Sequence, residues 1–255
     1  MSNDPPRAAL VTGGARRIGR AIVEALARAG YAVAIHARQS REEADRLAAD
    51  IAARGGRAAV VTGDLANPLA VDTIVPAAVK ALGALTLLVN NAGSFEPDEM
   101  GRLDPALFRR QFATNLDAPL FLSQAFAAQA PRGAGASIVN ILDQRVFKPT
   151  PRFVSYTLAK SALFTATVTL AQALAPNVRV NAVAPGPTLP SPRQDAPAFA
   201  RQAAALPLGR GPRPQDVADA VLYLAGAAAV TGVTIAVDGG QHIAWQTPDS
   251  IGIDE

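Results

Sequence analysis

Short apolar runs alternate with longer stretches of helical periodicity along most of the chain, and this alternation restricts the fold more than any other feature. The runs predict strands near 8–11, 32–36, 58–61, 85–90, 136–142, 178–183 and 234–237. Helical patterns lie near 17–29, 40–54, 67–82, 105–130 (with a break), 153–175 and 214–225. Apolar strands separated by helices are typical of a parallel sheet that helices cover on both faces. The sequence therefore predicts one α/β domain over residues 1–255, with a doubly wound parallel sheet of about seven strands.

Composition and charge exclude several classes of protein. The net charge is only +3, and no Lys/Arg run of five or more occurs, so no nucleic-acid partner is predicted. The absence of cysteine excludes disulfides, a thiol nucleophile and a zinc–thiolate site, and no metal site is predicted. No run of eighteen apolar residues and no apolar signal region near the N-terminus is present. We expect a cytoplasmic protein with no membrane partner and an anionic small-molecule ligand.

Two helical segments carry almost no charge. Between 112 and 130 only Asp117 is charged, and between 153 and 175 only Lys160 is. An ordinary surface helix has a charged face, so we expect both segments to be buried against the sheet and again against another subunit. Enclosure within one chain is the alternative. The prediction is a homo-oligomer, and a charge at Ala171 would test it if that position faces a partner.

The stretch 187–214 departs from the alternation. It contains seven prolines around a short helical piece, 198–206. A long irregular insertion near the carboxyl ends of the strands lies where open α/β sheets bind ligands. We therefore predict a substrate lid over 187–214, with a rigid surface loop as the alternative.

The sequence "TGGARRIG", residues 12–19, joins the first strand to the first helix. Gly13, Gly14 and Gly19 allow a tight turn and a close approach of the backbone to a ligand, and the helix N-terminus then faces a pyrophosphate. After the second strand, "HARQS" (36–40) lacks the carboxylate that would hold the ribose 2′-hydroxyl of NAD. A cation and a hydroxyl in its place favour NADP. An ordinary solvated strand end is the alternative.

Two further turns follow successive strands. Asp64 in "GDL" (63–65) is able to accept a hydrogen bond from an adenine amino group. Small residues in "NNAG" (90–93) let a cofactor pass over the backbone. Each turn alone indicates only local turn chemistry. Because the two turns occur in order at the ends of successive strands, together they indicate one cleft.

Tyr156 and Lys160 in "SYTLAK" are four residues apart and share one helix face. An ammonium near a phenol lowers the pKa of the phenol, which suits a proton donor for a reduction. The alternative is a packed tyrosine beside a lysine that extends to solvent.

These motifs, with Asn115, "NAVAPG" and "VDGG" (237–240), occur in the order of the short-chain dehydrogenase/reductase family, which the chain resembles over essentially its whole length. The resemblance implies a Rossmann-like fold, a tetramer and nicotinamide-dependent hydride transfer. Tyr156 would donate the proton, Lys160 would hold the ribose and tune Tyr156, and Asn115 would support a water relay. The implied cofactor contacts are Gly13, Arg17, Ile18, Gly19, His36, Arg38, Ser40, Asp64, Leu65, Asn91, Ala92, Gly93, Asn115, Tyr156, Lys160, Pro185 and Gly186. Thr188 stands early for the usual nicotinamide contact and is not assigned.

Asp143 departs from the usual family pattern, which has a serine thirteen residues before the tyrosine. A carboxylate opposes an oxygen that gains negative charge but suits a substrate with N–H donors or a basic ring nitrogen. Asp–Tyr–Lys resembles the pteridine reductase subgroup, which also has an arginine in the phosphate turn, here Arg17. In that subgroup the arginine reaches both the cofactor phosphates and the substrate, and an aromatic residue, here Phe95, stacks on the pterin.

The subgroup's 2′-phosphate pattern is only partly present. His36 and Ser40 match it, whereas Gln39 takes the arginine position and Arg38 stands one residue early. The main prediction is NADPH-dependent reduction of dihydropteridine or dihydrofolate C=N bonds, with a planar heterocycle as substrate in contact with Arg17, Phe95, Asp143 and Tyr156. One alternative is an NADPH-dependent ketoreductase of the 3-oxoacyl or sugar type. Another is a non-catalytic, cofactor-sensing protein.

Overall fold

The computed structural model describes residues 7–247, and there the predicted runs form one parallel sheet. Its strands are β1 Ala8–Val11, β2 Ala32–Ala37, β3 Ala58–Thr62, β4 Leu87–Asn90, β5 Ala136–Ile141, β6 Val178–Pro185 and β7 Thr234–Val237. Every residue of β1, β2, β4 and β5 is buried. Burial on both faces explains why these strands are apolar throughout rather than alternating. The predicted fold class is confirmed.

The helices begin and end close to the predicted limits. They are α1 Arg17–Arg28, α2 Arg41–Ala53, α3 Pro68–Leu82, α4 Pro105–Phe112, α5 Ala118–Gln129, α6 Val154–Leu174, α7 Ala196–Ala204 and α8 Pro214–Gly226. Asn67, Asp104 and Asp195 cap α3, α4 and α7 by accepting hydrogen bonds from backbone N–H groups of the first turn. The expected break in 105–130 is a π-helical turn, Ala113–Asp117, through which the backbone stays helical. No helix within 7–247 is long and apolar enough to cross a membrane.

The order of the strands in the sheet places the turns after β1 and β4 side by side. The order in the sheet is β3-β2-β1-β4-β5-β6-β7. The chain moves outward from β1 to β3 and then returns to the other side of β1 with β4. The carboxyl ends of β1 and β4 therefore meet where the strand order reverses, which is the place where open α/β sheets bind ligands.

Two apolar layers cover the sheet. Residues of α1, α2 and α8 pack on one face, and residues of α3, α5 and α6 pack on the other. Ala171 of α6 is 5% exposed and lies in the second layer. The idea that Ala171 faces a partner is therefore wrong, because its side chain points into the chain's own core. The exposed large apolar residues of α5 and α6 are instead Phe121, Leu158 and Val168, which are 54%, 49% and 42% exposed.

Candidate active site

The turn between β1 and α1 passes so close to other backbone that it needs glycine. A Cβ on Gly19 would lie 2.1 Å from the Gly13 carbonyl oxygen, and a Cβ on Gly13 would lie 3.0 Å from the Ala92 Cα. Gly13 also has a φ of +61°, a left-handed conformation that side chains oppose. The start of α1 thus presents backbone to the cleft, as a pyrophosphate site requires.

Thr12 and Asn91 hold this turn against the segment after β4. The Thr12 Oγ1 accepts hydrogen bonds from the backbone N–H groups of Asn91 and Ala92 at 2.9 and 3.0 Å. The Asn91 Nδ2 donates to the Thr12 carbonyl oxygen at 2.8 Å. Asn91 therefore supports the predicted cofactor site through the backbone. Thr12 was not singled out from the sequence, although its place at the end of β1, before two glycines, was a signal.

His36 does not lie where the family pattern placed it. Its ring is 2% exposed, with Nδ1 3.2 Å from the Gly13 backbone nitrogen and Nε2 3.1 Å from the Gly63 carbonyl oxygen. Burial lowers the pKa of His36, so the neutral ring accepts from Gly13 and donates to Gly63. Because both ring nitrogens are in hydrogen bonds, His36 stabilises the turn through Gly13 and Gly63. The expectation of a His36 contact with a 2′-phosphate is therefore corrected.

Two exposed arginines lie near the start of α2. Arg38 Nη1 is 3.7 Å from Asp64 Oδ1, which also accepts from the Ala66 N–H at 3.0 Å. Arg16, a residue missed in the sequence, forms an ion pair with Glu43 in the first turn of α2. Ser40 directly precedes that turn. Arg16 and Arg38 thus bring positive charge to this end of the site, next to Arg41 in the first turn of α2.

Arg17 connects the turn to the predicted lid. Its guanidinium donates to the carbonyl oxygens of Pro190 and Leu189 at 3.1 and 3.3 Å. Its φ is +54°, which is uncommon for a residue with a side chain and is found at functional sites. Leu189 and Pro190 of the 187–214 segment are therefore held against the turn.

A cleft of about 380 Å³ opens along this edge of the sheet, within the range of small-molecule sites. Its lining includes these predicted site residues: Gly13, Arg17, Ile18, Gly19, Asn91, Ala92, Gly93, Phe95, Asp143, Tyr156, Lys160, Pro185 and Gly186. Gly186 is also sterically constrained, since a Cβ there would lie 2.7 Å from the Asp238 Cα. Arg38, Ser40, Asp64 and Leu65 are outside the lining and lie just after β2 and β3.

Asp143 and Tyr156 are in direct contact in this cleft. The Tyr156 hydroxyl donates to Asp143 Oδ2 at 3.1 Å. Asp143 also caps the short 3₁₀ turn Gln144–Val146, because its Oδ1 accepts from the Arg145 N–H at 2.9 Å. Arg145 Nη1 reaches Oδ2 at 3.2 Å. The carboxylate is therefore both a turn cap and a partner of the phenol.

Lys160 is buried behind the tyrosine. Its Nζ donates to the Ile141 carbonyl oxygen at 2.6 Å and lies 5.9 Å from the centre of the Tyr156 ring. Burial lowers the pKa of Lys160 to about 8, although Asp143 opposes this shift. Burial and the Asp143 charge raise the pKa of Tyr156 well above its usual value. The expected lowering of the Tyr156 pKa by Lys160 is thus wrong for this structure, in which the phenol stays protonated.

Asn115 lies in the π-helical turn and is fully buried. Its Nδ2 donates to the carbonyl oxygens of Ser94 and Gln111, both at 2.9 Å, and its Oδ1 accepts from the Ser94 N–H at 3.1 Å. A Cβ on Gly93 would lie 2.9 Å from that Oδ1 and 3.9 Å from Lys160 Nζ. Asn115 therefore positions the segment after β4, and Gly93 of that segment lies next to both Asn115 and Lys160.

Phe95 belongs to an aromatic cluster at the mouth of the cleft. Its ring stacks on Phe153 with centroids 4.2 Å apart and 7° between the planes, and meets the edge of Tyr156 at 4.7 Å. Phe153 has a φ of +58° at the start of α6. Arg193 of the 187–214 segment donates to the Phe95 carbonyl oxygen at 2.7 Å. Phe95 is thus next to Tyr156, and one of its faces is covered by Phe153.

Comparison with known proteins decides the family. A short-chain dehydrogenase model, described as enoyl-(acyl carrier protein) reductase, matches residues 13–242. The chain belongs to the short-chain dehydrogenase/reductase family. A solved structure similar to it is FolM alternative dihydrofolate reductase 1 from Brucella canis complexed with NADP, with 50% identity, coverage of 95% of this chain and 96% of that one, and a TM-score of 0.93.

Two curated short-chain relatives are similar over nearly their whole length. Pteridine reductase 1 from Leishmania tarentolae is 33% identical over an alignment of 286 positions, which covers 92% of this chain and 96% of the relative. The 3-oxoacyl-[acyl-carrier-protein] reductase from Synechocystis sp. is 33% identical over 238 residues, with coverage of 91% and 95%. The family therefore includes relatives named for both of the enzyme activities considered from the sequence.

Three residues around Asp143 and Phe95 were not predicted from the sequence of this short-chain family member. They are Arg145, Phe153 and Arg193, which surround the Phe95 ring and the carboxylate. Phe153 stands three residues before Tyr156, a spacing that places both at one end of a helix face. Nothing in the sequence pattern connects Arg193 with Phe95, because they are almost a hundred residues apart.

Proposed function

We propose that this protein is an NADPH-dependent reductase of dihydropteridine- or dihydrofolate-type C=N bonds. The observation that carries the proposal is the carboxylate of Asp143 beside the hydroxyl of Tyr156, at 3.1 Å, in the cleft. A carboxylate accepts hydrogen bonds from the N–H groups of a reduced pterin ring. Tyr156, whose pKa is raised by burial and Asp143, retains its proton until the substrate takes it. The FolM and pteridine reductase relatives support this assignment.

The residues present fit NADP. The start of α1 would offer backbone N–H groups to the pyrophosphate, and the glycines of the turn leave room for its approach. Arg16 and Arg38 would bind the 2′-phosphate in charge-assisted bonds. Asp64 would accept from the adenine, and Lys160 would hold the ribose of the nicotinamide. NADPH, when bound, supplies the hydride. FolM of Brucella canis was solved with NADP, which supports this choice.

The substrate is a planar heterocycle in this proposal. Phe95 is fixed by Phe153 behind it and by the edge of Tyr156 beside it, so its orientation is set next to the proton donor. Stacking on an aromatic ring contributes about 0.5–1.5 kcal/mol beyond area burial, so Phe95 orients the heterocycle more than it anchors it. Asp143 would then accept from the N–H edge, and Arg17 would close the pocket together with 187–214.

A ketoreductase of the 3-oxoacyl or sugar type is the second candidate. The observation in its favour is the Arg145–Asp143 pair, because Arg145 offsets the negative charge that would oppose a carbonyl oxygen. The Synechocystis relative also supports it. A non-catalytic, cofactor-sensing protein is less favoured, because the buried Lys160 and the Tyr156–Asp143 contact are retained.

Consumption of NADPH with dihydrobiopterin, dihydrofolate and a β-ketoester tests the three candidates. We expect turnover of at least one dihydropteridine, with kcat/KM above that for the β-ketoester, and loss of turnover in Tyr156→Phe. Brisk turnover of the β-ketoester alone would establish the ketoreductase. NADPH binding without turnover of any of the three would favour the non-catalytic protein.

We further propose a cytoplasmic homotetramer in which the outward faces of α5 and α6 pack between subunits. Phe121, Leu158 and Val168 support this assembly, because they expose apolar side chains on helices that carry almost no charge.

A further inference from the structure

Arg145 lies behind Asp143, outside the lining of the cleft. Its Nη1 contacts Asp143 Oδ2 at 3.2 Å, and its backbone N–H binds Oδ1 at 2.9 Å. Both side chains are mostly buried, with exposures of 21% for Arg145 and 18% for Asp143. Within residues 7–247, the Nε of Arg145 is buried and has no hydrogen-bond partner. The hydrogen bonds of this guanidinium are therefore concentrated on Asp143.

Two rings hold the guanidinium in place. The Arg145 Cζ lies 5.1 Å from the centre of the Phe95 ring and 5.4 Å from that of Phe153. Because the two rings stack on each other, a guanidinium almost equidistant from both centres packs beside the stack. Arg145 thus connects the aromatic cluster to the carboxylate.

The charges of Arg145 and Asp143 act on the same phenol. Asp143 raises the pKa of Tyr156, and Arg145 lowers it. The Asp143 Oδ2 accepts from Tyr156 at 3.1 Å and from Arg145 at 3.2 Å, so one oxygen receives both donors. Removal of the guanidinium would leave the phenol beside an unpaired carboxylate.

We propose that Arg145 is a positioning residue, which fixes the Asp143 carboxylate against the Tyr156 hydroxyl and offsets its charge there. Arg145 acts through Asp143 and touches no reacting atom. The inference deepens the proposed function and rests on it for the reaction. The contacts of Asp143 with Arg145 and Tyr156, in contrast, do not depend on which substrate the protein binds. Loss of Arg145 weakens proton donation most for a substrate whose acceptor atom gains negative charge, such as a ketone.

A first test needs no turnover. The ¹³Cζ signal of Tyr156 in ¹³C-tyrosine-labelled protein, assigned with Tyr156→Phe, reports the hydrogen bond and charge at the phenol. We expect this signal to move in Arg145→Met and to stay at the wild-type position in Arg193→Met. Arg193 is the matched control, because its Cζ lies 5.6 Å from both rings, whereas the hydrogen bonds of its guanidinium within residues 7–247 go to Glu96 and Phe95 and not to Asp143. An unmoved signal in Arg145→Met overturns the inference; if Arg145→Met does not fold, Arg145→Gln is used in its place.

A double-mutant cycle is the second test. In the wild-type background, Arg145→Met should lower kcat for dihydrofolate about tenfold, as expected when a charged hydrogen bond is lost near a proton donor, with KM for NADPH unchanged. In the Asp143→Asn background, the same Arg145→Met change should lower kcat for dihydrofolate by less than about twofold. Arg145→Lys should restore part of kcat. Equal losses in both backgrounds would show a structural role and refute the inference.

The two proposals fail separately. If the wild-type protein reduces no dihydropteridine but the Tyr156 signal moves in Arg145→Met, the proposed function fails and the positioning role stands. If dihydrofolate is reduced but neither the signal nor the cycle links Arg145 to Asp143, only the positioning role fails.

Discussion

Replacement of Asp143 by serine separates the two candidate reductase activities. Serine is the residue that the short-chain dehydrogenase/reductase family usually has at this position. The change removes the carboxylate that accepts from Tyr156 at 3.1 Å and that would accept from the N–H edge of a dihydropteridine. It replaces this charge with a hydroxyl that is able to donate to a carbonyl oxygen. The two substrate classes should therefore respond in opposite directions.

The size of the effect follows from the contacts of the carboxylate. A hydrogen bond to a charged group contributes about 1.5–3 kcal/mol. The lower end applies here, because the Asp143 carboxylate is already paired with Arg145. About 1.5 kcal/mol corresponds to about a tenfold loss of kcat/KM for dihydrofolate or dihydrobiopterin. For a β-ketoester we expect kcat/KM to stay the same or rise.

The assay is NADPH consumption at saturating cofactor, measured for both substrate classes in the same preparation. Asp104→Asn is the matched control, because it also removes a carboxylate but at the exposed cap of α4, where asparagine caps equally well. Thermal melting checks that the variant remains folded after it loses the Asp143 cap of the 3₁₀ turn. An Asp143→Ser variant that is folded and keeps its dihydropteridine kcat/KM within about twofold would refute the reasoning.

Three further predictions follow from other parts of the structure. Glu43→Gln should release Arg16 from its ion pair and tighten NADPH relative to NADH, whereas Glu42→Gln, which has no contact with Arg16, should leave the ratio of the two dissociation constants unchanged. Leu158→Arg should reduce the assembled fraction in light scattering, because an unpaired charge would be buried in the proposed interface; an unchanged mass would contradict this interface. The pKa of Lys160 is about 8 against an ordinary 10.5, so above pH 8 the folded protein releases this proton before the unfolded chain does. The free energy of unfolding should consequently rise between about pH 8 and 10.5 in the wild type relative to Lys160→Met, and a constant difference in denaturant titrations would exclude this.

Much of the cleft could be predicted from the sequence because its parts are local. Gly13 and Gly19 belong to one strand–turn–helix unit, and Tyr156 and Lys160 are one helical turn apart. Parallel strand ends gather at one edge of a sheet, so ordered motifs at those ends indicated a common site. The steric need for glycine, which the turn geometry shows, was also implicit in the motif.

The charges and contacts of particular side chains could not be predicted in this way. His36 looked like a phosphate ligand, but the packing of Gly13 and Gly63 around it uses both ring nitrogens. Phe95 looked free to stack on a substrate, but Phe153 covers one of its faces. In both cases the deciding neighbour is distant in sequence, and a motif does not include it.

The sequence by itself determined the fold class, the order of strands and helices along the chain, and the main residues of the cleft. These features depend on periodicity and on short motifs. Only the tertiary structure decided which groups are charged and what each one touches. Tyr156 keeps its proton because burial and Asp143 raise its pKa, although Lys160 is near in sequence. Ala171 faces the core and Leu158 faces outward on the same uncharged helix, which the pattern of apolar residues did not distinguish. Burial and long-range pairing set the free energy of a charge, and both exist only once the chain has folded.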